Sequence, residues 1–351
     1  MQLPAGYLSD KTGNSKVFIY GFLGVAIATL LTGLSPVYYL IVFFQFISGI
    51  LSSSFHPSTF ALLLNHTSEK IAGKVLSLHS LGGNIGNAIV FLLSGLFASY
   101  FGWRVTLIIW AVPGFLIAYY FLKTFKRVAN KKTKIKYNLQ EPNRTSIKKN
   151  TARENMTKHM IFITLISILV GIFARVLPIF LPLYFIELYT DSIALSGILT
   201  SLYFFAGFPG VLFGGFIADK YNKLDIIIFS SGLIGIFLFI IAKIEMSLNY
   251  LVVLIVFIGF IKSMFAPAKN TLAGLVLFEK NRGFVFGLIF GGGFTGATIG
   301  TLVYGYLSDL YGLQNALMFF GIVSLMLTIV CFVYKLFYGD HGIKKENQQN
   351  L

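Results

Sequence analysis

Gly49–Pro57 reads GILSSSFHP and Gly259–Pro267 reads GFIKSMFAP. Four of the nine places are identical at a separation of 210 residues: Gly49 with Gly259, Ser53 with Ser263, Phe55 with Phe265 and Pro57 with Pro267. The same register continues through Glu69-Lys70 with Glu279-Lys280, Gly73 with Gly283, Gly82-Gly83 with Gly292-Gly293, Gly86 with Gly296, Gly95 with Gly305, and Gly102 with Gly312. With the shift relaxed to 209, Gly6-Tyr7-Leu8-Ser9-Asp10-Lys11 meets Gly215-Phe216-Ile217-Ala218-Asp219-Lys220. Identities that hold one register over so many turns mark an internal repeat, and so two halves built alike.

The composition fixes where those halves sit. Of 351 residues, 56% are hydrophobic and 12% charged, with a mean hydropathy of +0.78. Soluble domains carry about 25% charged residues, and apolar runs of about 20 residues span a bilayer. The chain is therefore an all-α integral membrane protein. Apolar runs between charged breaks predict ten full spans near 17–35, 37–65, 74–100, 104–122, 159–189, 194–218, 224–242, 248–278, 283–308 and 314–337, with Met1–Leu8 as a stub. The single cysteine, Cys331, excludes an intrachain disulfide and a thiolate metal site. No cofactor is implied. An enzyme is not expected either: His56, His66 and His79 do not stand at ligand spacing with acids, and no nucleophile has a base beside it. The glycines of 82–95 and 291–305 read as helix-packing devices, since neither stretch has the strand-to-helix context of a phosphate loop.

The net charge of +15 is mostly a matter of topology. Twelve of the 28 Lys and Arg residues fall in Lys123–Lys158, with two acids, Glu141 and Glu154. Basic loops stay on the cytoplasmic side. With that linker inside, alternation leaves Arg104 and Lys243 as the basic residues of the opposite side, and places Arg175, Lys262 and Lys269 within spans. Lipid headgroups are the expected neighbours of the linker, and nucleic acid is not a partner. The predicted division is an amino-terminal bundle over 1–122, the linker over 123–158, a carboxy-terminal six-helix bundle over 159–337 and a cytoplasmic tail over 338–351. The location read from this is the cell (inner) membrane, crossed many times by a monomer. Corresponding loops fall on one side, so the repeat is parallel. Matching the halves predicts that about fifty residues, one helix and most of the next, precede Met1 in an intact version, so the chain reads as truncated at its amino terminus.

These residues resemble the major facilitator superfamily. Gly6-x-Leu8-x-Asp10-Lys11-x-Gly13 is similar to the family's loop signature between its second and third helices, and Gly215-x-x-x-Asp219-Lys220 to its copy between the eighth and ninth. The resemblance implies two six-helix bundles, with Asp10, Lys11, Asp219 and Lys220 serving as a conformational latch. Asn14, Ser15 and Asn222 depart from that signature. Phe55-His56-Pro57, Gly82-Gly83-Asn84-Ile85-Gly86, and Arg175 followed by Phe180-Leu181-Pro182-Leu183-Tyr184 are similar to the fosmidomycin-resistance type of efflux protein. The antiporter signature of that type has Gly-Pro where this chain has Val90-Phe91.

Charge at bilayer depth costs about 2.5–3.5 kcal/mol on the insertion scale and normally faces a cavity. Lys262 and Lys269 are seven apart and share a helix face. Gln45, Ser52, His56 and Thr59 make a polar stripe on the earlier repeat, in which Ser52 maps to Lys262 and Thr59 to Lys269. The resemblance puts these helices, with that of Arg175, around a central cavity. The predicted substrate-binding residues are Gln45, His56, Arg175, Lys262 and Lys269, with His56 the candidate proton carrier because it alone among them titrates near neutrality. The function expected is proton-coupled export, by alternating access, of a small anionic or zwitterionic compound or drug. The alternatives are uptake of an anion or metabolite, or a truncated remnant without activity.

Overall fold

The computed structural model describes residues 14–56, 58–59, 69–130, 149–275 and 282–338, together with 1, 4–5, 8, 11, 63 and 67. Among the described residues every regular element is helical: α1 Asn14–Leu34, α2 Tyr38–Ser52, α3 Glu69–Asn130, α4 Lys149–Val170, a π-helical turn Gly171–Arg175, α5 Leu177–Leu188, α6 Ile193–Lys220, α7 Lys223–Lys243, α8 Leu248–Leu275, α9 Arg282–Tyr311 and α10 Leu313–Tyr338. Among the described residues, eight stretches are long and apolar enough to cross a membrane.

One detail differs from the spans read in the sequence. Within the predicted span 37–65 the helix is interrupted after Ser52 by a turn at Ser53 and Ser54, and helix resumes at Phe55-His56 and Ser58-Thr59. Three hydroxyls compete there with the backbone ladder: Ser52 Oγ donates to Gly49 O at 3.1 Å, Ser53 Oγ to Ile50 O at 2.6 Å and Ser54 Oγ to Leu51 O at 2.7 Å. The repeat copy, α8, has Lys262 and Met264 at two of those places and runs through Pro267. The predicted spans 74–100 and 104–122 are the two arms of α3, two helices that meet at a kink at the non-helical Gly102, φ 77° and ψ 165°. Gly312, which separates α9 from α10, has φ 80°. These two are the positive-φ glycines among the described residues, and they are repeat partners. Glycine is needed at both, because a Cβ is strained in that region.

The chain forms two compact units, one of residues 1–65 with 104–159 and one of residues 66–103 with 160–351. In the first, Phe18 of α1 stacks with Phe22 and meets the Phe121 ring edge-on at 5.1 Å. A methyl added at Gly114 would sit 2.9 Å from the Ala26 Cβ, so α1 and the second arm of α3 approach through small residues. Thr29, Thr32 and Ser35 return their hydroxyls to carbonyls one turn back at 2.7–2.8 Å, which lets polar side chains lie in an apolar helix.

In the second unit α6 lies on α8, where Gly210, Gly214 and Gly259 face the backbones of Phe260, Met264 and Tyr203. The first arm of α3 packs on α6 through Gly95 against Gly197 and through the Phe91 and Phe204 rings, 5.3 Å apart. α7 and α10 meet at Gly235 and Gly321. They are tied by hydroxyls: Ser231 and Thr328 are 2.9 Å apart, and Ser324 Oγ donates to Ser231 O at 2.7 Å. The Leu224 N–H donates to Asn222 Oδ1 at 2.9 Å, so the residue that departs from the family signature caps α7. The linker reading covers residues outside the described set at 131–148 and the start of α4.

Candidate functional site

The site is built from a break in one helix and a pair of turns on another. The segment Gly171–Arg175 winds as a π turn between α4 and α5, with Pro178 at the start of α5. Proline brings no N–H to the ladder, and single π turns of this kind recur at functional sites. Gly171 lies directly against the Gly293 carbonyl of α9, which holds the turn close to that helix. The Arg175 guanidinium is thereby brought 4.2 Å from the centroid of the Phe294 ring. A Cβ at Gly293 would stand at ordinary contact distance, 3.8 Å, from Arg175 Nε, so this glycine lies beside the guanidinium.

On α8, Lys262 Nζ lies 5.7 Å from the Tyr203 ring and 6.0 Å from that of Phe204. Lys269 follows two turns later on the same helix, and both lysines are half-buried. Arg175, Lys262 and Lys269 all belong to the second unit. Among the described residues none of the three has a carboxylate within 4 Å. The Tyr203 and Ser167 hydroxyls are buried without a hydrogen-bond partner among the described residues. The second unit therefore holds three cations, aromatic faces and spare hydroxyls, with no carboxylate within 4 Å of the cations among the described residues. In general a guanidinium can grip an oxyanion with two parallel N–H bonds, and an ammonium supplies a point charge.

The other predicted site residues lie elsewhere: Gln45, His56, Asp10 and Lys11 in the first unit, Asp219 and Lys220 at the end of α6 in the second. His56 is half-buried with its ring edge-on to Phe55 at 5.3 Å, just beyond the serine turn that ends α2. A cavity of about 180 Å³ lined by Gly21, Phe22, Val25, Leu51, Ser52, Ser54 and Phe55 opens beside that turn. Gln45 is exposed on α2. Asp10 lies outside the described residues, as does the side chain of Asp219. Lys11 is exposed, and Lys220 is exposed with Nζ 4.2 Å from the Phe216 ring. Tyr203, Phe204, Phe294 and Ser167 went unremarked in the sequence. Aromatic residues in a chain with 37 phenylalanines carry no signal until packing sets a cation over them.

The family model described as Major Facilitator Superfamily matches residues 1–196 and again 163–350, which together cover nearly the whole chain. The probable hexose phosphate transport protein of Chlamydia muridarum (strain MoPn / Nigg) is 24% identical over 240 residues, 62% of this chain and 53% of the relative. Multidrug resistance protein MdtG of Proteus mirabilis (strain HI4320) is 28% identical over 170 residues, 47% of this chain and 40% of the relative. Sialin of Homo sapiens is 27% identical over 108 residues, 29% of this chain and 21% of the relative. The chain thus spans about half the length, or less, of these relatives.

Proposed function

Because the chain belongs to the major facilitator superfamily, a family of membrane transporters rather than enzymes, we propose that its carboxy-terminal repeat holds the anion-binding half of a secondary transporter's substrate site. One observation carries this: Arg175, Lys262 and Lys269 share the second unit, Arg175 and Lys262 lie by aromatic rings, and none of the three has a carboxylate within 4 Å among the described residues. Uncompensated charge at bilayer depth is expensive and is retained where a ligand balances it. The substrate is a small organic anion or zwitterion with a carboxylate, phosphate or phosphonate group. Arg175 grips that group and the lysines neutralise it.

Export, with protons as the coupling ion and His56 as their carrier, is supported by the likeness to multidrug resistance proteins and by the fosmidomycin-resistance pattern of residues 55–57 and 82–86. Exchange or uptake of an anionic metabolite is supported by the hexose phosphate relatives. Asp10, Lys11, Asp219 and Lys220 form the latch that alternating access needs, in an inner-membrane protein with linker and tail cytoplasmic. The test is the thermal stability of the purified chain titrated with glucose 6-phosphate, with fosmidomycin and with a lipophilic cation. The two anions raise Tm and the cation does not. Accumulation of the anion that binds, in cells with and without the chain, then gives the direction of transport. Equal stabilisation by the cation would overturn the anion site.

A further inference from the structure

The ends of α7 and α9 meet the start of α10 around a cavity of about 400 Å³. It lies at the helix ends opposite to the Asp225–Lys335 pair. Glycine in the positive-φ region at 312 turns the chain sharply between α9 and α10, and the Asn315 amide donates to the Tyr311 carbonyl across that turn at 3.1 Å. Gln314 Nε2 donates to the Ile241 carbonyl at 3.1 Å, and the Tyr304 hydroxyl to the Leu313 carbonyl at 2.9 Å. These bonds fix the start of α10 against α7 and α9, so the cavity has firm walls.

Polar and apolar groups are sorted along it. Lys243, Tyr311 and Asn315 line it from the helix ends, and all three are exposed. Leu307, Met318, Phe319 and Ile322 line it from further inside their helices. Among the described residues Lys243 has no hydrogen bond or ion pair, and the Tyr311 hydroxyl has no partner. The acids nearest in sequence, Glu245 and Asp309, do not line the cavity, and neither comes within 4 Å of the lysine nitrogen. On α10 the apolar lining runs on as a stripe, since Ile322 is followed at helical spacing by Met326, Ile329 and Val333, all exposed. A soluble anion has no use for that stripe. An acyl chain does.

The first repeat lacks the donors. Tyr311 aligns with Phe101, Asn315 with Val105, and Lys243 with Gly33 or Leu34 as the shift is taken as 210 or 209. There Gly33 packs directly on the second arm of α3, where a Cβ would stand 2.9 Å from the Arg104 carbonyl and 3.0 Å from Ile108. The polar end of the cavity thus belongs to the second repeat alone and does not follow from the packing the two share.

We infer that this cavity is the binding site for one acidic phospholipid. Lys243, Tyr311 and Asn315 hold its phosphodiester, and an acyl chain lies along Phe319, Ile322, Met326 and Ile329. Interfacial lysines attract anionic headgroups, and tyrosines sit at headgroup depth. A cavity of this volume is within the range of about 300–1,000 Å³ usual for ligand sites. Arg175, Lys262 and Lys269 do not line it, and the inference does not rest on the anion site.

The test is native mass spectrometry of the purified full chain, stripped of lipid in detergent and titrated with dioleoylphosphatidylglycerol, dioleoylphosphatidylcholine or glycerol 3-phosphate. The parent binds one phosphatidylglycerol in preference to phosphatidylcholine, and glycerol 3-phosphate does not displace it. Lys243→Gln lowers occupancy by phosphatidylglycerol about fivefold, the worth of one lysine at an anionic surface. Lys223→Gln, at the other end of α7, leaves it at the level of the parent. Ile322→Asn, which spoils only the apolar wall, lowers it as well. Because no described residue holds Lys243, Lys243→Gln keeps the Tm of the lipid-free parent. Four results would overturn the inference: equal occupancy in Lys243→Gln and the parent, equal binding of phosphatidylcholine, displacement by glycerol 3-phosphate, or a lower lipid-free Tm in Lys243→Gln, which would make the lysine a structural tie.

Discussion

Lys262 and Arg175 are where stability and function pull apart. Each puts a positive charge into an apolar helix, with an aromatic ring beside it and no carboxylate within 4 Å among the described residues. A cation–π contact returns about 0.5–2 kcal/mol, less than the insertion cost of the charge. Replacing such a group by an apolar one of similar size is often neutral or stabilising. Lys262→Met is therefore expected to raise the Tm of the purified chain while abolishing stabilisation by organic anions. A fall in Tm would mean that the lysine is a structural tie. Arg175→Lys keeps the charge and loses the bidentate grip, so it should weaken anion binding by about tenfold or more, with Arg175→Ala weaker still. Titration by isothermal calorimetry checks both. The three cations were legible in the sequence because charge is rare in apolar runs. The rings over which Arg175 and Lys262 sit were not, because which phenylalanine or tyrosine meets a charge depends on helix rotation and on the π turn at Gly171–Arg175.

At the scale of elements, small residues and hydroxyls do the joining. Gly235 faces Leu325 and the Gly321 carbonyl, with 2.8 Å between a Cβ and the leucine, so Gly235→Leu should separate α7 from α10 and cost the chain its folded yield. Ser231→Ala removes the hydroxyl that faces Thr328 at 2.9 Å across those helices and leaves the carbonyl that Ser324 uses. Bonds of this type average about 0.6 kcal/mol in membranes, so the expected loss in unfolding free energy is about that, measured by denaturant titration in detergent. Helix positions followed from apolar runs. The interruption after Ser52 did not, because serines are compatible with a membrane helix one at a time and disturb it here by bonding to three successive carbonyls. The division of the predicted spans 74–100 and 104–122 was legible, since the glycine at the kink stood in the repeat.

For the whole molecule, the repeat points to the family, and the match of a family model to both halves agrees with it. Asp225 at the start of α7 and Lys335 at the end of α10 are paired at 2.6 Å, so these two ends lie on one side, as the alternation of loops requires. Thr133→Cys in the linker should be shielded from a membrane-impermeant maleimide added to intact cells, whereas Lys243→Cys should be labelled; the reverse pattern would invert the topology. Substrate was the least legible property, because it rests on a few side chains rather than on any periodic feature. The central claim is that this chain binds small organic anions through Arg175, Lys262 and Lys269. The most direct measurement is the Tm of the purified chain and of Arg175→Ala as glucose 6-phosphate or fosmidomycin is added. The account predicts a rise with at least one of these anions for the parent and none for the variant; equal shifts in the two, or a shift only with a lipophilic cation, would contradict it.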